Sequence, residues 1–219
     1  MVNDMVHERL HRGAALMQRM ARFPVVVCGA GALGANIVES LARSGMRTLT
    51  VIDRDRIEER NLSTQPWTRS DIGASKATIL AHSVYRATGA EILGIGRELT
   101  DRNVGSLLSG AELVVDVFDN STGREVLTRW SRENEVPCIH AGLASDFAEV
   151  LWNDIYRVPS PANDDVCDYP LARNLVTLTV ALACETIIRF VEDGRRESRT
   201  LTFADFAIRE VPGESVLPV

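Results

Sequence analysis

Apolar residues in this chain alternate between short continuous runs and longer stretches at helical spacing. His7–Arg22 places Leu10, Ala14, Leu16, Met17 and Met20 close to a helical repeat, and Pro24 ends that helix. Val25–Cys28 is wholly apolar, as expected of a strand buried on both faces of a parallel sheet. Ala32–Ser44 reads as a helix stopped by Gly45, and Thr48–Ile52 as a second strand running into Asp53. Ile57–Asp71, punctuated by Asn61, Pro66 and Ser70, reads as loop. A helix over Ser75–Thr88, a strand within Glu91–Arg97 and a short helix near Val104–Leu108 follow. Next come a strand over Ala111–Val117, a helix over Thr122–Asn134 and a strand over Pro137–His140. Phe147–Tyr156 has the pattern of an antiparallel strand, Ser160–Pro170 of a loop and Leu171–Val191 of a long helix. Arg199–Phe206 and Ala207–Val211 are closing strands.

Strands alternating with helices predict an α/β fold, a Rossmann-like doubly wound sheet that is parallel in the N-terminal half and mixed in the C-terminal half. In such sheets ligands lie beyond the carboxyl ends of the strands. That singles out residues 29–34, 53–55, 116–120 and 140–142.

At 219 residues the pattern fits one domain over 1–219, with an N-terminal helix within 1–22 and a crossover loop within 152–170. The composition, 45% hydrophobic and 25% charged, supports a packed core. A net charge of -6 argues against a nucleic-acid partner, because duplex binders present a basic face. The charged N-terminus lacks the apolar core of a signal peptide. The longest apolar run, near Leu175–Cys184, is short of the roughly 20 residues of a membrane helix. A soluble, cytoplasmic protein with no membrane partner is the expectation. None of the four cysteines sits in a CxxC pair, so no structural zinc is expected. Cys28, Cys138 and Cys184 fall in apolar runs and read as core. Cys167 lies in the polar stretch PSPANDDVCDYP. His140 and the three tryptophans read as structural, the histidine hydrogen-bonded and the indoles packed.

The chemistry begins at VVVCGAGALG, residues 25–34. Glycines at 29, 31 and 34 allow a tight turn and close approach to a phosphate, and the helix that follows offers free N–H groups. Asp53 stands at the end of the next strand, where an acid can hold ribose hydroxyls. This much permits any nucleotide, NAD and FAD included. The next segment narrows the choice. Asp53, Asp55, Asn61, Gln65 and Lys76 are concentrated on the ligand side. Lys76 opens a helix as a point charge suited to phosphate. VVDVFDN then places Asp116 and Asp119 at a strand end, where a carboxylate can hold Mg.

In these elements the chain resembles the ThiF/MoeB/HesA family, the prokaryotic relatives of ubiquitin-activating enzymes. The resemblance runs from about Val25 to Val191. It is carried by Gly29–Gly34, Leu41–Gly45, Asp53 with Asp55, Asn61-Leu62 with Gln65, Asp71–Gly73 with Lys76, Asp116 with Asp119-Asn120 and Arg124, Pro137 leading to Gly142, and Ala183-Cys184-Glu185.

The resemblance implies adenylation, with ATP and Mg, of the C-terminal carboxylate of a small ubiquitin-fold or sulfur-carrier protein ending in Gly-Gly. Thioester or thiocarboxylate formation would be a later step. It implies that Gly29, Gly31, Ala32, Leu33 and Gly34 hold the ATP phosphates, with Asp53 on the ribose and Asp55 and Gln65 lining the site. Asn61 and Lys76 would orient and neutralise phosphates. Asp119 would bind Mg, and Asn120 would support it. It further implies a homodimer in which Arg9 or Arg12 crosses into the partner's ATP site. Cys167 is the candidate nucleophile near the crossover. One departure stands out: Thr64 occupies the place of an arginine expected to touch phosphate, with Arg60 and Arg69 as nearby stand-ins. Two alternatives stay open on the residues, a non-catalytic partner subunit that binds a ubiquitin-fold protein and a nicotinamide or flavin oxidoreductase.

Overall fold

The computed structural model describes residues 5–160 and 171–212. One eight-stranded sheet organises the chain, in the order β3-β2-β1-β4-β5-β6-β7-β8. These strands are β1 (Val25–Cys28), β2 (Leu49–Ile52), β3 (Leu93–Ile95), β4 (Leu113–Asp116), β5 (Cys138–Ala144), β6 (Phe147–Trp152), β7 (Ser198–Thr202) and β8 (Ile208–Val211). The first five are parallel neighbours, with Val27 beside Val51 on one side and Val115 on the other. From β5 onward the pairing is antiparallel. The predicted mixed sheet is the one observed. The order reverses between β1 and β4, and the crevice of a doubly wound sheet opens there.

The apolar run of β1 divides between two cores. Val25 and Val27 face the larger core, which is built from α2 (Ala14–Arg22), α3 (Ala32–Arg43), α4 (Lys76–Thr88) and α7 (Arg173–Asp193). Val26 and Cys28 face the smaller core, under α5 (Val104–Leu107) and α6 (Ser121–Glu133). Burial on both faces explains why β1 and β4 carry no polar alternation until Asp116. β6 does alternate, because α7 covers one face and the other stays partly open. Helix α7 reaches the length and apolarity of a bilayer-crossing helix. Here ten of its residues are buried, and it lies along α3 as a core helix.

The structure corrects several boundaries. The single N-terminal helix is two, α1 (Val6–Arg12) and α2, because Gly13 adopts φ +80° and interrupts the hydrogen-bond ladder. The predicted loop 57–71 contains two 3-10 turns, Glu59–Ser63 and Arg69–Asp71, each closed by its own capping box. The fifth strand runs on to Ala144 because β6 hairpins back onto it. The strand expected to reach Phe206 ends at Thr202, since the chain turns directly after it and β8 pairs back onto β7. Cys28, Cys138 and Cys184 are buried thiols as expected, and burial pushes Cys184 up to about 12.

Candidate nucleotide-binding site

The glycine loop leaves β1 at the reversal point. Gly29, at φ +110°, donates its N–H to Ile52 O at 2.8 Å, and Val117 N–H donates to Cys28 O at 3.1 Å, so the loop is clamped between the ends of β2 and β4. A Cβ on Gly34 would lie 1.9 Å from Gly29 O, and one on Gly29 would lie 2.9 Å from Val117 O. Gly31 differs: its Cβ would meet nothing within 4 Å among the described residues. It is the N-cap of α3 and supplies no side-chain acceptor. The amides of Ala32, Leu33 and Gly34 therefore open the helix without carbonyl partners one turn back, beside open space. That cradle suits an anion.

Asp53, 9% exposed, braces the loop from β2. Its Oδ2 accepts from Ala30 N–H at 2.6 Å and its Oδ1 from Asp55 N–H at 2.7 Å. Burial raises its carboxyl above the ordinary value, against the lowering pull of those two amides and of Lys76. Lys76, 8% exposed, is the first residue of α4, which Ser75 caps. Its Nζ donates to Asp55 Oδ2 at 3.2 Å, and its own amide donates to Asp55 O at 3.0 Å. The fold thus gathers the glycine loop, Asp53, Asp55 and Lys76 at one sheet edge.

Asp119 and Asn120 follow β4, just past the Val117 that packs on the loop. Asn120 Oδ1 accepts from Gly123 N–H at 2.8 Å and caps α6, while Asp119 is exposed. Among the described residues, no three carboxylate, histidine or cysteine side chains cluster as a metal cage. An exposed carboxylate two residues past the Val117 that packs on the loop suits Mg, which binds one or two carboxylates together with phosphates and water.

Asn61 and Gln65 have local roles in this structure. Asn61 Oδ1 accepts from Glu58 N–H at 2.9 Å in the first 3-10 turn, and buried Gln65 accepts from Trp67 Nε1–H at 2.7 Å. Thr64 is buried. Arg60 and Arg69 pair with Glu58 and Glu59 on the exposed surface. Arg12 is held within its own chain by Glu8 at 2.6 Å and Glu185 at 3.0 Å, whereas Arg9 is exposed. Cys167 lies outside the described residues.

Residues from distant elements join the crevice. Asn36 Nδ2 donates to Ala32 O at 2.7 Å and to Thr64 O at 2.9 Å, tying the 3-10 segment to the first turn of α3. Its signal in the sequence is a polar residue in the first half of a helix whose other first-half positions are apolar or glycine. Arg124, which the motif includes without a role, donates to Phe118 O at 2.7 Å and to Tyr156 Oη at 2.6 Å.

Behind them lies a buried pair. His140 Nδ1 stands 2.7 Å from Asp116 Oδ2, and its ring stacks on Tyr156 with centroids 3.6 Å apart. This is the structural histidine expected from the sequence. Burial lowers its pKa, outweighing the raising effect of Asp116. The unfolded chain therefore binds a proton near pH 6.5 that the native protein refuses, so stability falls as pH drops below that value. Urea unfolding between pH 7.5 and 5.5 should show this loss, at a slope of at most about 1.4 kcal/mol per pH unit. The slope should flatten in His140→Gln; an unchanged slope there assigns it to other groups.

Together, fold and crevice define an α/β protein of the glycine-loop, doubly wound class, with a buried lysine and an exposed carboxylate at the loop. The ThiF family model matches residues 7–164, and the chain belongs to the ThiF family. It is 32% identical over 127 residues to a SAMP-activating enzyme E1 of Haloferax volcanii, covering 57% of this chain and 47% of that protein. It is 32% identical over 122 residues to a sulfur carrier protein adenylyltransferase of Thermus thermophilus, covering 52% and 45%. A tRNA threonylcarbamoyladenosine dehydratase of Escherichia coli is 27% identical over 133 residues, covering 59% and 50%. The chain spans half or less of the length of these relatives. Among solved structures, E. coli MccB with ATP superposes with a TM-score of 0.82 at 19% identity, covering 98% of this chain and 73% of that one. That likeness is one of fold.

Proposed function

We propose that this protein adenylates the C-terminal carboxylate of a small ubiquitin-fold or sulfur-carrier protein with ATP and Mg. The observation that carries the reading is the placement of buried Lys76 and braced Asp53 beside an uncapped helix start, with exposed Asp119 two residues past the Val117 that packs on the loop. The names of the Haloferax and Thermus relatives point the same way. A carboxylate oxygen attacks the α-phosphorus, the bond from that phosphorus to the bridging oxygen breaks, and pyrophosphate leaves. No general base is required, because the attacking carboxylate is already ionised at pH 7. The difficulty is bringing negative charges together. The amides of residues 32–34 and the Lys76 ammonium offset the phosphate charge and hold the chain in line. Asp119, with Asn120 beside it, would hold Mg, which neutralises phosphate oxygens when bound. Asp53, whose two oxygens each accept one backbone amide, would position the ribose through their remaining lone pairs. A net charge of -6 favours a protein acceptor over RNA.

ATP–pyrophosphate exchange with a panel of carriers ending in Gly-Gly tests this reading. Carrier-dependent exchange that Asp119→Asn lowers by about 10²-fold or more supports it. Tight carrier binding without exchange would favour a non-catalytic partner subunit, a reading to which the buried, uncharged Thr64 lends weight. A homodimer is part of the proposal. Helix α1 buries none of its residues, and Leu10 is 78% exposed, so the helix has a face to give to a second copy. Exposed Arg9 is then the arginine free to cross, since Arg12 is committed at home. Sedimentation of the active sample as a monomer would remove that role.

A further inference from the structure

We infer that Arg173, the first residue of α7, supplies a second cation to the phosphate end of the crevice. The inference rests on the nucleotide reading above. ATP is a polyanion, and within one copy of the chain the cation at the loop is Lys76, which Asp55 partly neutralises, while Arg124 is committed to Phe118 O and Tyr156 Oη. The 3-10 segment beside the loop offers no charge of its own, since Thr64 is buried and uncharged and Arg60 and Arg69 are turned to Glu58 and Glu59.

Arg173 is placed differently. Helix α7 lies along α3, with Cys184 Sγ 3.8 Å from Ile37 O, and the start of α7 comes to that same segment. Arg173 Nη1 donates to Ser63 O at 3.3 Å. The next carbonyl, Thr64 O, is the one Asn36 ties to Ala32 in the first turn of α3. Three short links therefore connect the guanidinium to the phosphate cradle. Its side chain is exposed and has no acidic partner among the described residues. One of its five N–H donors is used on a carbonyl, which leaves a planar fork able to take phosphate oxygens in pairs.

Calorimetric titration of the intact chain with Mg–ATP and with adenosine, at two salt concentrations, tests the inference. Arg173→Met is expected to weaken ATP about tenfold and to reduce the salt dependence of ATP binding, with adenosine binding and melting temperature unchanged. Arg173→Lys should recover most of the ATP affinity, since it restores the charge without the fork. Equal ATP affinity in wild type and Arg173→Met overturns the role of Arg173 while leaving the ATP site standing. An equal loss of ATP and adenosine makes the residue structural and also overturns it. Wild type that binds no Mg–ATP overturns the site and the inference together.

Discussion

Gly34→Ala is expected to abolish nucleotide binding and to destabilise the fold, whereas Gly31→Ala, three residues away, leaves stability untouched. A Cβ at position 34 would sit 1.9 Å from Gly29 O and 2.9 Å from Val117 Cγ2. The nearer atom is backbone, held by the hydrogen bond from Gly29 N–H to Ile52 O, so no side-chain rotation relieves the clash. The loop must leave β1 differently, and the brace from Asp53 to Ala30 N–H goes with it. A loss of about 2–4 kcal/mol in urea unfolding is expected, in the range of overpacking combined with a broken buried hydrogen bond. At Gly31 the added methyl meets open space and the backbone already has a negative φ, so unfolding should change by less than about 0.5 kcal/mol. That open space is the proposed phosphate cradle, so Gly31→Ala should weaken ATP while the protein stays folded. Thermal shifts with and without Mg–ATP separate the two effects. Full ATP stabilisation of a folded Gly31→Ala variant would place the phosphates elsewhere.

Lys76→Met is expected to lower carrier-dependent pyrophosphate exchange by about 10²–10³-fold, the size of effect seen when one preorganised electrostatic group is removed from a reacting centre. Stability should barely move. Methionine keeps the buried stem of the side chain, and Asp55, whose side chain is half exposed, can be hydrated once its partner is gone. The expected signature is a large kinetic loss with an unfolding change below about 1 kcal/mol. A variant that exchanges normally would show that Lys76 only pins the turn at Asp55. A variant that unfolds would show the same structural role by the other route.

Much of the architecture was legible because burial on both faces leaves a mark. Apolar runs at β1 and β4, each followed by a helical repeat, predict parallel strands in a doubly wound sheet, and Asp53 after β2 and Asp116 at the end of β4 mark the ligand edge. The missed features follow from physics that operates beyond the local pattern. Gly13 divides the first helix because a single φ +80° breaks a ladder whose hydrophobic spacing continues across it. The capping boxes at Glu58 with Asn61 and at Thr68 with Asp71 turn a polar stretch into two short helices, where composition alone reads as loop.

The site divides along the same line. The sequence by itself determined that a glycine loop, an acid after the second strand and a lysine opening a later helix would meet at one sheet edge, because strand ends in this topology converge there. Only the tertiary structure decided how each group is used. It spends both oxygens of Asp53 on backbone amides, commits Arg12 to Glu185 across 173 residues of chain, and turns Gln65 to Trp67. It also brings Arg173 to Ser63 from 110 residues away. Periodicity reports which face of an element is buried. Which hydrogen-bond partner a polar side chain takes depends on which surfaces packing brings together, and in this protein that is set by α7 lying along α3.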